Sequence, residues 1–165
     1  MQPRREVNAQ YEELVTVRRA LHRMPELAFL EHRTQEYILT YLKALSPDVL
    51  VKIAGTGVKA IFYAKNAKGT VAFRADMDAL PMQEETGLDC ASEHDGVMHS
   101  CGHDSHMAMA LITARLVAEH RETLKENVVF LFQPAEEINE GAKLLIEEGA
   151  LESPRVDRIF AYHIF

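Results

Sequence analysis

Two spacings of apolar residues divide this chain. Between Glu6 and Leu21, the residues Val7, Tyr11, Leu14, Val15 and Leu21 fall on one stripe of a helix, and Pro25 stops it. A second helix is predicted over Thr34 to Leu45, with Thr34 as N-cap and Tyr37, Ile38, Tyr41, Leu42 and Leu45 as its apolar face. Pro47 follows and forbids continuation. The period then shortens. "VLVKIA" and "VKAIFYA" predict strands, and "NAKG" predicts a turn into a third strand, "TVAFRAD".

Residues 90–102 carry no period and predict irregular chain. "HMAMALITARLVAEH" is apolar nearly all round, the mark of a buried helix. "NVVFLFQP" is an unbroken apolar run, as in a strand covered on both faces. "GAKLLIEEGAL" predicts a helix ending near Gly149, and "DRIFAYHIF" a last strand. Helix and strand thus alternate in the second half. The fold class expected is α/β, a central mixed, largely parallel sheet flanked by helices. No repeat, linker or low-complexity tract marks an internal boundary, and 165 residues suit one domain.

In open α/β sheets, ligands gather beyond the carboxyl ends of the parallel strands. Asp76 and Asp78 follow "TVAFR", Glu136 and Glu137 follow "VVFLFQP", and His163 sits near the end of the last strand. Cys101 and His103 precede the buried helix, where unpaired backbone N–H groups point outward. Each cluster alone has an ordinary explanation. Cys-x-His closes no zinc site, paired glutamates suit the start of a helix, and aspartates cap turns. A histidine inside "FAYHIF" is most often a hydrogen-bonded core residue. Four such clusters on one rim are better explained by a hydrolytic metal site.

Thiolate and imidazole favour zinc and its neighbours, while carboxylates widen the choice to manganese and cobalt. His99 and His106 compete as ligands, and His106 shares a helical face with His103. His22, His32, His94 and His120 read as surface or capping residues. A metal with open positions polarises a carbonyl and acidifies water. The adjacent pair Glu136–Glu137 could supply one proton carrier and one ligand.

Composition narrows the partners. With 25 acidic against 18 basic residues and a net charge of -7, the chain lacks the basic patch that nucleic acid or an anionic membrane requires. No run is long enough to span a bilayer, and the opening has no secretory leader, so the cytoplasm is expected. In that compartment Cys90 and Cys101 are expected not to pair.

"RADMDALP", "GVMHSCGHDSHMAMAL", "FLFQPAEE" and "YHI" resemble, in order and spacing, the metal-dependent aminoacylase and amidohydrolase family of hippurate hydrolases, auxin-conjugate hydrolases and N-acetyldiaminopimelate deacetylases. "LHRMPELAF" and "GTGVKAIF" resemble its opening. The resemblance implies a zinc-exopeptidase-like catalytic domain with two divalent ions, manganese, cobalt, nickel or zinc. It also implies hydrolysis of an N-acyl amino acid, a small-molecule substrate. Cys101, as a bridging thiolate, His103, Glu137 and His163 would be metal ligands. Glu136 would be the general base, while Asp78 and Asp76 would support the site.

The resemblance has two departures. "AEEINEGA" lacks the glycines that follow the glutamate pair in that family, and Asn139 and Glu140 reach positive φ less cheaply. Family members are also more than twice as long, with an inserted lid and dimerisation domain and a later ligand histidine. Residues 1–165 are therefore expected to be the N-terminal portion of the catalytic domain, weakly active or inactive alone. A sheet edge left open by that shortening would favour association, including a homo-oligomer. The rivals are a catalytically dead metal-binding or interaction fragment, and a cysteine amidase with Cys101 as nucleophile and His103 as base.

Overall fold

A computed structural model describes residues 5–164. The first predicted helix is two, α1 (Arg5–Ala9) and α2 (Tyr11–Arg23), broken where the Gln10 N–H turns back onto the Val7 carbonyl at 3.1 Å. Val7 and Tyr11 are exposed, so the front of the predicted stripe has no core to hold it straight. The buried face of α2 starts later, at Val17, Leu21 and His22.

Helix α3 (His32–Ala44) begins two residues before Thr34, which lies inside its first turn and is buried. The cap is Glu26. Its carboxylate accepts the N–H groups of Arg33 at 3.2 Å and Thr34 at 2.9 Å, together with the Thr34 hydroxyl at 2.9 Å. A longer acid from the preceding loop thus satisfies the donors that a helix start leaves open.

Strands β1 (Val49–Ile53) and β2 (Gly57–Phe62) form an antiparallel hairpin. Strand β3 (Thr70–Asp76) leads through irregular chain to α4 (His103–Glu119), then β4 (Asn127–Gln133), α5 (Gly141–Glu147) and β5 (Arg158–Ala161). The sheet runs β1-β2-β4-β3-β5. β2 pairs antiparallel with β4, while β4–β3 and β3–β5 are parallel. The mixed α/β sheet expected from the alternation is present, with its parallel half at the strands that carry the candidate donors.

Both faces are covered, as the unbroken run in β4 predicts. Phe62, Phe130 and Phe132 pack on one side with Leu21, Ile38, Leu42, Met107 and Leu111 from α2, α3 and α4. On the other side, Ile61, Val129 and Leu131 meet Leu145 and Ala150 at and beyond α5. The last strand is shorter than "DRIFAYHIF": it ends at Ala161, its residues are exposed, and Phe165 lies outside the described residues. Among the described residues, no helix is long and apolar enough to cross a membrane.

Candidate metal centre

In the parallel register, Asp76 of β3 stands level with Gln133 of β4. The segments that follow these two strands therefore emerge on the same rim, 76–78 beside 134–137. Helix α4 starts at His103, three residues earlier than its apolar pattern suggested, with Gly102 before it at φ 79. A Cβ at Gly102 would lie 2.3 Å from the Ile164 side chain, so both conformation and space favour glycine there.

Asp78 organises this rim. Its main-chain carbonyl accepts the His103 Nδ1–H at 2.8 Å, and its buried carboxylate accepts the N–H groups of Glu136 at 2.9 Å and Glu137 at 3.0 Å. Fixing the proton on Nδ1 leaves the Nε2 lone pair of His103 facing the glutamates, as in metal-binding histidines. Burial opposes charge on Asp78, but the His103 hydrogen bond and the two amides outweigh it and hold its pKa below the usual value. At His103 burial again works against charge, and the carboxylates of Asp78 and Asp76 prevail, raising its pKa.

Asp76 is a support. One oxygen accepts His106 Nδ1–H at 2.6 Å and the other accepts from Arg74 at 2.6 Å. His106 Nε2 in turn accepts the Ile164 N–H at 3.1 Å, so both its ring nitrogens are committed.

His103 Nε2 lies 3.7 Å from Glu137 Oε1 and 3.8 Å from Glu136 Oε2, too far for direct hydrogen bonds. Both His103 Nε2 and Glu137 Oε1 are buried without a hydrogen-bond partner. The ligand atoms of Cys101, His103 and Glu137 all lie within 4.8 Å of one another. Three donors converge, and two of them are orphaned atoms, a costly arrangement unless a cation completes it. The donor set fits a divalent ion of the zinc type.

Glu136 is the more open glutamate, its side chain 36% exposed against 20% for Glu137. The Cys101 thiol is pushed up to about 11, first by the Glu137 carboxylate beside it, then by burial and the other carboxylates around it. Without a cation it stays protonated, and its partner is a carboxylate rather than His103. That argues against the cysteine-nucleophile reading.

Of the two positions after the glutamate pair, Asn139 takes the φ of 59 that a glycine would have eased, while Glu140 stays at φ -105. Ala135, before the pair, has φ 52. Asparagine tolerates that region, whereas alanine there costs on the order of 1–2 kcal/mol.

The profile of peptidase family M20/M25/M40 matches residues 72–165, more than half of the chain and all seven candidate donors and supports. The chain belongs to this family. Its curated relatives include N-acetyldiaminopimelate deacetylases. It is 42% identical over 158 residues to the N-acetyldiaminopimelate deacetylase of Leuconostoc citreum, covering 93% of this chain and 40% of the relative. It is 45% identical over 152 residues to that of Halalkalibacterium halodurans, covering 92% and 40%. Among solved structures, the Bacillus subtilis YXEP protein, described as a dinuclear metal-binding peptidase of the M20 family, superposes with a TM-score of 0.89 at 41% identity. That match covers 96% of this chain and 44% of the other. This M20 chain thus spans about 40% of the length of the curated relatives it matches.

His163 of the M20 chain follows β5 and is not one of the Cys101, His103 and Glu137 donors that converge. Its ring centroid is 4.9 Å from that of His106 and 6.2 Å from that of His103. His99 is buried with neither ring nitrogen partnered among the described residues, and burial brings its pKa down to about 4. It is a neutral neighbour of the site.

His22 departs most from expectation. It is buried, with Asp104 at 2.8 Å from Nδ1 and Glu84 at 3.2 Å from Nε2. Arg18 reaches the same Asp104 oxygen at 2.7 Å. This network braces the first turn of α4, which carries Asp104. A histidine on the polar flank of an amphipathic helix gave no sign of it.

Proposed function

We propose that this chain is the N-terminal portion of the catalytic domain of a metal-dependent amidohydrolase that cleaves the amide bond of N-acyl amino acids. The observation that carries this is the pair of orphaned atoms, His103 Nε2 and Glu137 Oε1, beside the Cys101 thiol. The deacetylase names of its relatives and the dinuclear description of its structural neighbour support the substrate class and the metal count. Cys101, His103, Glu137 and His163 would hold two divalent ions, manganese, cobalt, nickel or zinc. Lid, dimerisation surface and a further ligand would come from the rest of the whole protein.

Bound divalent ions would supply Lewis acidity toward the amide carbonyl and make the attacking water more acidic. Glu136, the more exposed of the pair, takes the proton from that water and delivers it to the leaving amine. Asp78 keeps both glutamates on the rim through their own amides and orients His103. Asp76 and Arg74 fix His106, which ties the segment bearing His163 to α4.

The test is hydrolysis of a panel of N-acetyl amino acids and hippurate by the full-length polypeptide, with metal content measured in parallel. Turnover that a chelator abolishes and added metal restores is the expected result. Bound metal without turnover would favour a metal-binding module, and turnover indifferent to chelator would overturn the assignment.

A further inference from the structure

We propose that Glu31 is a positioning residue for the Glu136–Glu137 pair, an inference that rests on the amidohydrolase reading. Glu31 lies just ahead of α3 and is fully buried. One carboxylate oxygen accepts the Ala135 N–H at 3.0 Å, across 104 positions of sequence, and the other accepts the Thr56 hydroxyl. Asp78 accepts the next two amides, those of Glu136 and Glu137. The three successive N–H groups of residues 135–137 are therefore held by two buried carboxylates that come from opposite sides of the rim.

Ala135 is where this matters most. It is buried and sits at φ 52, a conformation that a residue with a Cβ holds only when its surroundings impose it. Its carbonyl accepts the Gly141 N–H at 3.2 Å, which closes the loop behind the glutamates. Removing Glu31 would leave the Ala135 N–H buried and unpaired, and the peptide would rotate to find another acceptor. The peptide that rotates, Pro134–Ala135, is the one immediately before the peptide that delivers Glu136 and that Asp78 holds. Thr56 anchors Glu31 from the β1–β2 hairpin, and Gln35 fixes that hairpin through the carbonyls of Gly55 and Gly57, each at 3.1 Å. The path Gln35, hairpin, Thr56, Glu31, Ala135 thus links α3 to the proposed base without touching substrate.

The experiment compares Glu31→Leu, which keeps size and removes both acceptors, with Glu31→Gln, which keeps a carbonyl for Ala135. Both are made in the full-length polypeptide. For Glu31→Leu, kcat per folded molecule should fall roughly 10- to 100-fold with KM nearly unchanged, as expected for a misplaced catalytic group. Zinc affinity of the metal-stripped protein should weaken by about tenfold or more, the usual cost of losing support behind a ligand. Amide exchange at residues 135–137 should accelerate, and Glu31→Gln should recover kcat and zinc affinity to near the wild-type values.

A Glu31→Leu protein that is less stable but keeps wild-type kcat and zinc affinity would overturn the proposal, leaving Glu31 a structural tie only. If Glu31→Leu does not fold, Thr56→Val loosens the same carboxylate. Reduced kcat and zinc affinity would then support positioning, and unchanged values would overturn it. If the wild-type polypeptide hydrolyses no N-acyl amino acid, the amidohydrolase reading fails by itself. The exchange and zinc arms then still decide whether Glu31 holds the glutamate loop.

Discussion

Asp78 holds His103 chiefly through its main chain: the Asp78 carbonyl takes the imidazole Nδ1–H at 2.8 Å, while the carboxylate, 3.5 Å from the same nitrogen, accepts the amides of Glu136 and Glu137. One residue therefore sets the direction of two proposed ligands by two different groups. Asp78→Asn keeps the shape and the carbonyl, but places an NH2 donor against one of those amide donors. Metal affinity should weaken about 10- to 100-fold, with turnover falling at least as far. Zinc titration of the metal-stripped variant, together with kcat, checks this. Wild-type affinity in Asp78→Asn would show that the glutamate loop holds itself.

The two glutamates should separate by kind of loss. Glu136 is the more open, and Glu137 holds the orphaned, buried Oε1. Glu136→Gln should keep its full complement of metal and lose roughly a hundredfold or more in turnover, a typical loss for a general base. Glu137→Gln should lose metal first. Metal analysis after dialysis, set beside turnover, distinguishes the two, and near-normal turnover in Glu136→Gln would reverse the assignment.

What could be read in the sequence was whatever depends on local period. The runs that became β3 and β4 announced themselves, and with them the rim on which Asp76, Asp78, Glu136 and Glu137 fall. The supports were not legible, because they are long-range pairings of ordinary polar residues. His22 meets Asp104 across 82 positions and Glu84 across 62, and Glu31 meets Ala135 across 104. Nothing periodic marks either. The cap of α3 shows the same limit on a smaller scale: Thr34 fits the composition rule, but the side chain that reaches the free N–H groups is Glu26.

His22 gives a pH signature. Its hydrogen bond to Asp104 raises its pKa, burial opposes, and Glu84 adds to the rise. A raised folded-state pKa means that this stabilisation is complete below the unfolded value of about 6.5 and is lost as pH rises through the higher folded value. His22→Gln should therefore lower Tm most at about pH 5.5 to 6.5, with the deficit shrinking as the buffer is taken toward pH 9. Thermal unfolding of both proteins across that range is the measurement. A deficit independent of pH would mean that His22 is neutral in the fold.

Gly141 opens α5, and a Cβ there would meet the Pro134 carbonyl oxygen at 1.6 Å and its carbon at 2.7 Å. The obstacle is backbone, so no side-chain rotation relieves it. Gly141 is not among the glycines at positive φ, so the penalty for alanine is steric alone. Relief must come by moving α5 away from β4 or by shifting Pro134, and Pro134 precedes Ala135 and the two glutamates. Gly141→Ala should cost about 1–3 kcal/mol of stability, the usual price of overpacking. In the full-length polypeptide it should also reduce kcat beyond what the unfolded fraction explains, because the displaced peptide leads directly into Glu136. Denaturant unfolding paired with active-site metal content and kcat tests both halves. If stability falls while kcat per folded molecule is unchanged, α5 has moved and the glutamate loop has not.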